Sequence, residues 1–324
     1  MKKFFLILAI LIALKLLLIS LLLFFNKPIK NDLVFYVKNG ESLYQVFDNL
    51  HKNKIVTSPH IDKNIFRILQ IFNKNLFFKA GEYKFNSTDN YFIILQKLVS
   101  GDIYLRKFTV IEGETITNVI NDLNNNKYLT GKINFTPKEG SLMPETYFFK
   151  RGDNRNDLIK SMQNDMSLFL EQAWNSRDKS ISINSKEELL ILASIVEKES
   201  SLNSEKDHIA GIFLNRIKRN MKLQSCPTTI YAITKGKYKF PRQLSKRDLT
   251  IKSFFNTYHV SGLPPTPICN PSKGSILATA NPKETKDLYF VSDGQGSHRF
   301  SDSYAEHNEN VKLLRKYEKS QKNK

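Results

Sequence analysis

The 324-residue chain holds only two cysteines, Cys226 and Cys269, and six histidines. Two thiols are too few for a disulfide-stapled scaffold, and no Cys/His cluster at ligand spacing is available to build a structural zinc site. Acidic residues are also short: 31 Asp and Glu against 49 Lys and Arg leave a formal charge of +18. That excess suits nucleic acid, an acidic membrane surface or a carboxylate-rich polymer without choosing among them. Much of it is Lys scattered beside Asn and Ile, as at Lys52, Asn53 and Lys54. No low-complexity stretch divides the chain, and its length allows one large or two moderate domains to bury cores without metals or covalent staples.

What is present begins with an apolar run from Phe4 to Phe25, interrupted only by Lys15 and Ser20. It exceeds the ~20 residues that span a bilayer. The cost of Lys15 at the centre, about 3 kcal/mol, is outweighed by the many Leu, Ile and Phe residues at roughly −0.3 to −0.6 kcal/mol each. A cleaved signal peptide would have an apolar core of about 7–15 residues ending in small side chains. Leu23-Phe24-Phe25-Asn26-Lys27 offers none. Residues 4–26 are therefore expected to form an uncleaved transmembrane helix behind a cytoplasmic tail, 1–3, that carries Lys2 and Lys3. The bulk of the chain then lies outside the cytoplasm.

Beyond this run the sequence repeats itself. Val37-Lys-Asn-Gly40-Glu41-Ser42-Leu43 matches Val110-Ile-Glu-Gly113-Glu114-Thr115-Ile116, and Val46 and Leu50 correspond to Val119 and Leu123. Each copy reads as a strand, a glycine turn and a helix capped by Ser42 or Thr115. Between the copies, Asp62 to Ile71 and Tyr91 to Leu98 read as helices and Ala80 to Phe85 as a strand. Pro144-Glu145-Thr146-Tyr147-Phe148-Phe149 reads as a buried connection. Leu158, Met162, Met166 and Leu170, four apart, predict a helix that ends in the polar loop near Asn175. Leu288 to Phe300 reads as a hairpin around a glycine turn.

The segment with most chemistry is Ser185 to Ser200. Ser185 caps a helix, Glu187 and Glu188 favour its positive end, and Leu189 to Val196 is apolar on nearly every face, as in a helix running through a core. Glu197 and Glu199 sit where it leaves that core. A carboxyl there can be desolvated enough to stay protonated near neutral pH and serve as a general acid. Periodicity does not choose between the two glutamates: Glu199 continues the row of Leu192 and Val196, and Glu197 that of Leu190, Ala193 and Ser194. Nor can the sequence bring Asp207, Asp248 or Asp293 to the separation a two-carboxylate glycosidase needs.

Glu197-Lys198-Glu199-Ser200, preceded by Ile191-Leu-Ala-Ser-Ile-Val196, resembles the signature of the YceG-like endolytic lytic transglycosylases. The resemblance continues in order through Pro144-Glu145-Thr146-Tyr147, Phe213-Leu-Asn215-Arg216, Met221-Lys-Leu223-Gln224, Pro227-Thr228, Asn256-Thr257-Tyr258, Gly262-Leu263-Pro264-Pro265 and Leu288-Tyr-Phe-Val291 with Asp293-Gly294 and His298. Two departures stand out. Cys226 replaces the Asp usual before Pro-Thr, and Thr266-Pro267-Ile268-Cys269 alters the segment after the paired prolines, which puts any role of that Asp in question here.

The resemblance implies an α+β fold: the N-terminal transmembrane helix, a LysM-like α+β module over 31–105, a larger mixed α/β catalytic domain over 106–318 and a polar tail, 319–324. It implies a single-pass protein of the bacterial inner membrane whose periplasmic domain cuts the bond between N-acetylmuramic acid and N-acetylglucosamine in nascent peptidoglycan and terminates strand growth. Glu199, the second of the pair, is the implied catalytic residue. It would protonate the leaving oxygen and then accept the proton of the sugar's 6-hydroxyl as a 1,6-anhydro end forms, with no metal or cofactor. Glu197→Gln is the matching control, expected to matter less.

Ser200, Arg216, Gln224, Tyr258 and His298 are the candidate substrate-binding residues, Arg216 through a stem-peptide carboxylate or lactyl group or through a pair with Glu197. Ser204, with Asp207 three residues on, reads as the capping start of the Arg216 helix. His208, His259 and His307 read as surface or packing residues. Partners implied are the glycan strands, the bilayer and peptidoglycan synthases. Nucleic acid is not among them, since no reading motif is present. Two other functions remain: a noncatalytic cell-wall anchor, which would bind without cutting, and a hydrolytic muramidase, which would leave a reducing end.

Overall fold

The structure is a computed structural model that describes residues 29–56 and 59–322, with isolated positions between 4 and 15. The sequence-predicted membrane helix over 4–26 lies for the most part outside these residues. Among those described, no helix is long and apolar enough to cross a membrane. The rest is mixed helix and sheet, and it divides into two units: residues up to Lys107 together with Phe148–Gly152, and Phe108–Tyr147 together with Asp153 onward.

In the first unit, strand β1 (Leu33–Val37) is followed by helices α1 (Leu43–Lys52) and α2 (Pro59–Phe72), strand β2 (Gly81–Phe85) and helix α3 (Tyr91–Ser100). β1 and β2 pair antiparallel, with Leu33 opposite Phe85 and Val37 opposite Gly81. Phe35, Val37, Tyr83 and Phe85 alternate onto one face and close a core with Val46, Phe47, Leu50 and Leu98. Ser42 caps α1 through a full capping box, its hydroxyl accepting from Gln45 N while the Gln45 side chain accepts from Ser42 N. Glu82 is buried yet held by Arg106 at 2.7 Å and Arg151 at 2.9 Å. Burial pushes its carboxyl up, and the two guanidiniums more than reverse that and hold it below the usual range.

The chain passes to the second unit along strand β3 (Arg106–Thr109), which pairs with β4 (Thr146–Phe149). The aromatic run read as a buried connection is this second strand. Its residues alternate between exposed and buried, because a strand with one covered face needs an apolar residue only at every other position. The repeat holds in outline: Gly40 and Gly113 both take a left-handed turn, near φ +80° and +76°, before the two helix starts. Thr115, however, does not cap α4 (Ile116–Asn125) with its side chain, because its hydroxyl donates instead to Gly236 O at 2.7 Å.

Six further α-helices follow among the described residues: α5 (Arg155–Asn175), α6 (Lys186–Glu199), α7 (Asn203–Lys218), α8 (Cys226–Thr234), α9 (Lys273–Ala280) and α10 (Tyr304–Lys322), with the hairpin β5 (Tyr289–Ser292) and β6 (His298–Ser301) before the last. α6 is the axis of this unit, and Leu189 and Ile191 to Val196 are all buried along it. α5, α7, α8 and α9 pack around it. That cage fixes the closing turn of α6 and the two glutamates it carries. α7 begins one residue before the predicted capping serine: Leu202 occupies the cap position, and the Asp207 carboxylate accepts from the next main-chain N–H, that of His208. α10 runs on to Lys322, through most of the segment read as a polar tail.

Candidate active site

Glu197 and Glu199, two residues apart, leave α6 in different directions and meet different surroundings. Glu197 turns inward. Its Oε2 accepts from Ser272 N at 2.9 Å, Ser272 Oγ at 2.5 Å and Ser275 Oγ at 2.6 Å, and Lys206, only 2% exposed, lies 3.2 Å away. Burial pushes this carboxyl up, but the serine bonds and Lys206 outweigh it and hold it below the usual range. Glu197 is thus a fixed anion, tying the end of α6 to the start of α9 and to α7.

Glu199 turns to a cavity of about 390 Å³ that it lines with Arg216, Gln224, Cys226, Tyr258, Tyr289, His298 and His307, among others. Among the described residues its hydrogen-bond partner is Ser225, whose hydroxyl donates to Oε1 at 2.5 Å. Burial pushes the Glu199 carboxyl up to about 7, against the smaller opposing pull of the Ser225 bond and of His298 and Arg216 nearby. It is therefore about half protonated at pH 7 and more fully so below, unlike Glu197. No other Asp or Glu lines the cavity among the described residues.

Of the residues singled out in the sequence, Glu199, Arg216, Gln224, Tyr258 and His298 converge on this cavity. Ser200 does not line it. Its hydroxyl closes the turn after α6, accepting from Leu202 N at 3.0 Å and standing 3.4 Å from Glu205 Oε2. Arg216 does not pair with Glu197, which Lys206 has taken. Its guanidinium donates to the main-chain oxygens of Leu288 (2.6 Å), Lys222 (3.1 Å) and Leu223 (2.9 Å), so it braces the cavity wall as well as charging it. Gln224 has a left-handed backbone, φ +51°, uncommon for a residue with a side chain. Its N–H is held by Thr257 O at 3.1 Å.

The structure adds residues that the sequence did not single out. Ser225 stands before Cys226 and Pro227, and a serine ahead of a first-turn proline is a readable helix-start signal. The Ser225 N–H is bound by Thr257 Oγ1 at 3.0 Å, and Thr257 Oγ1 lies 2.8 Å from Thr228 Oγ1. Asn256, fully buried, accepts from Thr229 Oγ1 and from Tyr258 N and donates to the oxygens of Leu249 and Ile251. This polar lock sets Ser225 and Tyr258 on one wall. On another, Glu205 grips His298 twice, accepting from its main-chain N–H at 2.9 Å and contacting Nδ1 at 2.7 Å, which leaves Nε2 for the cavity. His307, read as a packing residue, also lines the cavity and stacks on Tyr289. Cys226 and Cys269 are both free thiols. Cys226 lies 3.3 Å from Tyr258 Oη, and Cys269 donates to Ser194 O inside the core.

Chemically, the cavity pairs one carboxyl able to hold its proton near neutral pH with imidazole, phenol, amide and guanidinium groups able to bind a polar, oxygen-rich substrate. It has the donor for protonating a leaving oxygen but no second carboxylate to activate water.

Comparison with known proteins gives a consistent picture. A family model described as the YceG-like family matches residues 35–313. An endolytic murein transglycosylase of Bacillus subtilis (strain 168) is 31% identical over 87% of this chain and 85% of its own length. An endolytic murein transglycosylase of Streptococcus pneumoniae (serotype 2 strain D39) is 34% identical over 53% of this chain and 31% of its own. Among solved structures, a YceG-like protein from Listeria monocytogenes has a TM-score of 0.55 and 25% identity, over 87% of this chain and 99% of that one.

Proposed function

The chain belongs to the YceG-like family, and from that premise we propose that it is an endolytic murein transglycosylase, a lyase that cuts peptidoglycan strands internally, with Glu199 as its acid and base. The observation that carries this reading is the half-buried Glu199, held up to about 7 at the edge of a cavity that no other carboxylate lines.

The acid form of Glu199 protonates the oxygen leaving N-acetylmuramic acid as the bond to its anomeric carbon breaks. The resulting carboxylate takes the proton of that sugar's own 6-hydroxyl as this oxygen bonds to the same carbon. A 1,6-anhydro end and a new free hydroxyl result, and the enzyme regains its proton. Because the nucleophile belongs to the substrate, one carboxyl suffices. A hydrolytic muramidase acting through paired carboxylates would need a second one nearby, which the cavity does not offer. His298, steadied by Glu205, and Arg216, Gln224 and Tyr258 hold the acetamido and lactyl groups of the sugars.

In the same reading, residues 4–26 anchor the chain in the inner membrane and residues 106–318 act in the periplasm on newly made strands, ending their growth beside the synthases. The strand–helix–helix–strand order of the first unit supports a LysM-like glycan-holding module over 31–105. Mass spectrometry of digested glycan strands tests the chemistry. Wild type should release anhydro-ended products and Glu199→Gln should release none. Reducing ends in place of anhydro ends, or an active Glu199→Gln, would overturn the assignment.

A further inference from the structure

A second cavity, of about 500 Å³, lies in the same unit and contains none of the candidate residues above. Its size falls within the roughly 300–1,000 Å³ of sites that hold drug-sized ligands, and a disaccharide is one such ligand. The two cavities share their dividing wall. α6 ends with Lys198 in the second cavity and Glu199 in the first, and α8 opens with Cys226 in the first and Pro227 in the second. The Ser225–Glu199 bond joins these two helix ends.

The lining suits a sugar. Tyr238 is 55% exposed and presents a free ring, with Phe240 two residues on. Tyr231 forms a fixed wall, its hydroxyl donating to Glu139 at 3.1 Å and its ring packed 5.0 Å from Phe255. Aromatic faces accept the apolar C–H face of a pyranose. Lys239 forms no ion pair among the described residues, and Lys198 reaches only a main-chain oxygen, that of Gly113 at 3.3 Å. Glu112 and Glu114 line the cavity too, but neither is ion-paired with Lys198 or Lys239 among the described residues, so both ammoniums can still donate to a ligand carboxylate. Internal cleavage also requires sugars on both sides of the bond that is cut, and the first cavity accounts for one side.

We infer that the cavity around Tyr238 and Lys239 is a second glycan-binding site, on the other side of the dividing wall from Glu199, which holds sugars of the strand beyond those seated at Glu199. Its ligand class is an N-acetylated glycan bearing lactyl or peptide carboxylates. The inference rests on the transglycosylase reading for its substrate, and its test separates the two.

Binding of long glycan strands still carrying stem peptides is measured with the full chain in the inactive Glu199→Gln background, with and without Tyr238→Ala or Lys239→Ala. Each added substitution should weaken long-strand binding about tenfold, equivalent to 1.4 kcal/mol. In the active protein, each should lower by about the same factor the ratio of kcat/KM on long strands to that on the shortest fragment cleaved. The inference is overturned if binding and this ratio are both unchanged, whatever wild type does to the strand. Tyr238-dependent binding by a chain that cuts nothing would support the second site and overturn the transglycosylase reading alone. Amidating the carboxylates of the strand separates the roles: the Lys239 effect should vanish and the Tyr238 effect remain.

Discussion

Two glutamates on one helical turn carry opposite proton affinities, and the difference comes from what each side chain can reach. Glu197 meets three serine donors and an ammonium, whereas Glu199 meets one hydroxyl and a desolvating wall. Folding raises the Glu199 carboxyl from its ordinary 4.5 to about 7. The folded state then binds more protons than the unfolded one across that window, so stability falls as pH rises through it and is flat beyond. Glu199→Gln should accordingly melt higher than wild type at pH 8, by up to about 3 kcal/mol, and like it at pH 4, a difference thermal melts at the two pH values would reveal. The kcat/KM of wild type should decline above about pH 7 as the acid form is lost, and an activity plateau extending to pH 9 would remove Glu199 from that role.

At the scale of elements, Glu197 explains why the end of α6 stays in place. Lys206 is almost wholly enclosed, so Glu197→Ala would leave a buried ammonium without its partner, and a loss of about 3–5 kcal/mol is expected in urea unfolding. Unfolding at the wild-type midpoint would mean that the pair contributes nothing. For the same reason Glu197→Gln is not a neutral control: a loss of activity there should accompany a loss of stability, unlike Glu199→Gln. Helices with strong periodicity were legible in the sequence. Leu158, Met162 and Met166 are buried as their spacing predicts, and Ser185 caps α6 as read. β4 was not legible, because four residues with Tyr147 and Phe149 facing in and Phe148 beside Thr146 facing out carry too little alternation. Ser225 carries a local signal, a serine ahead of a first-turn proline. The Glu205–His298 grip spans 93 positions and the Lys206–Ser272 contact 66, so neither leaves a mark on any short stretch of sequence.

The molecule as a whole is strongly cationic, with a formal charge of +18. Peptidoglycan carries stem-peptide carboxylates, and an excess of exposed Lys raises the local concentration of such a polymer in a way that salt screens. Pelleting of the Glu199→Gln chain with insoluble peptidoglycan should therefore weaken steadily as sodium chloride rises. Salt-independent pelleting would mean that contacts in the cavities dominate and the net charge is incidental. The two-unit organisation was legible in part. The repeated strand–turn–helix marks the start of each unit, but the return of Phe148–Gly152 to the first unit is a long-range event that composition does not signal.

The hydroxyl of Ser225 occupies one of the two oxygens of Glu199, and the other has no bond among the described residues. In the proposed reaction a single atom must then hand over the proton and collect the next one. The departing saccharide and the incoming alcohol compete for the same berth, so they must use it in succession. On that mechanism each turnover would include a vacating step followed by a ring pucker that swings the alcohol inward, and a strand too tightly clamped to make that swing would be gripped but not cut.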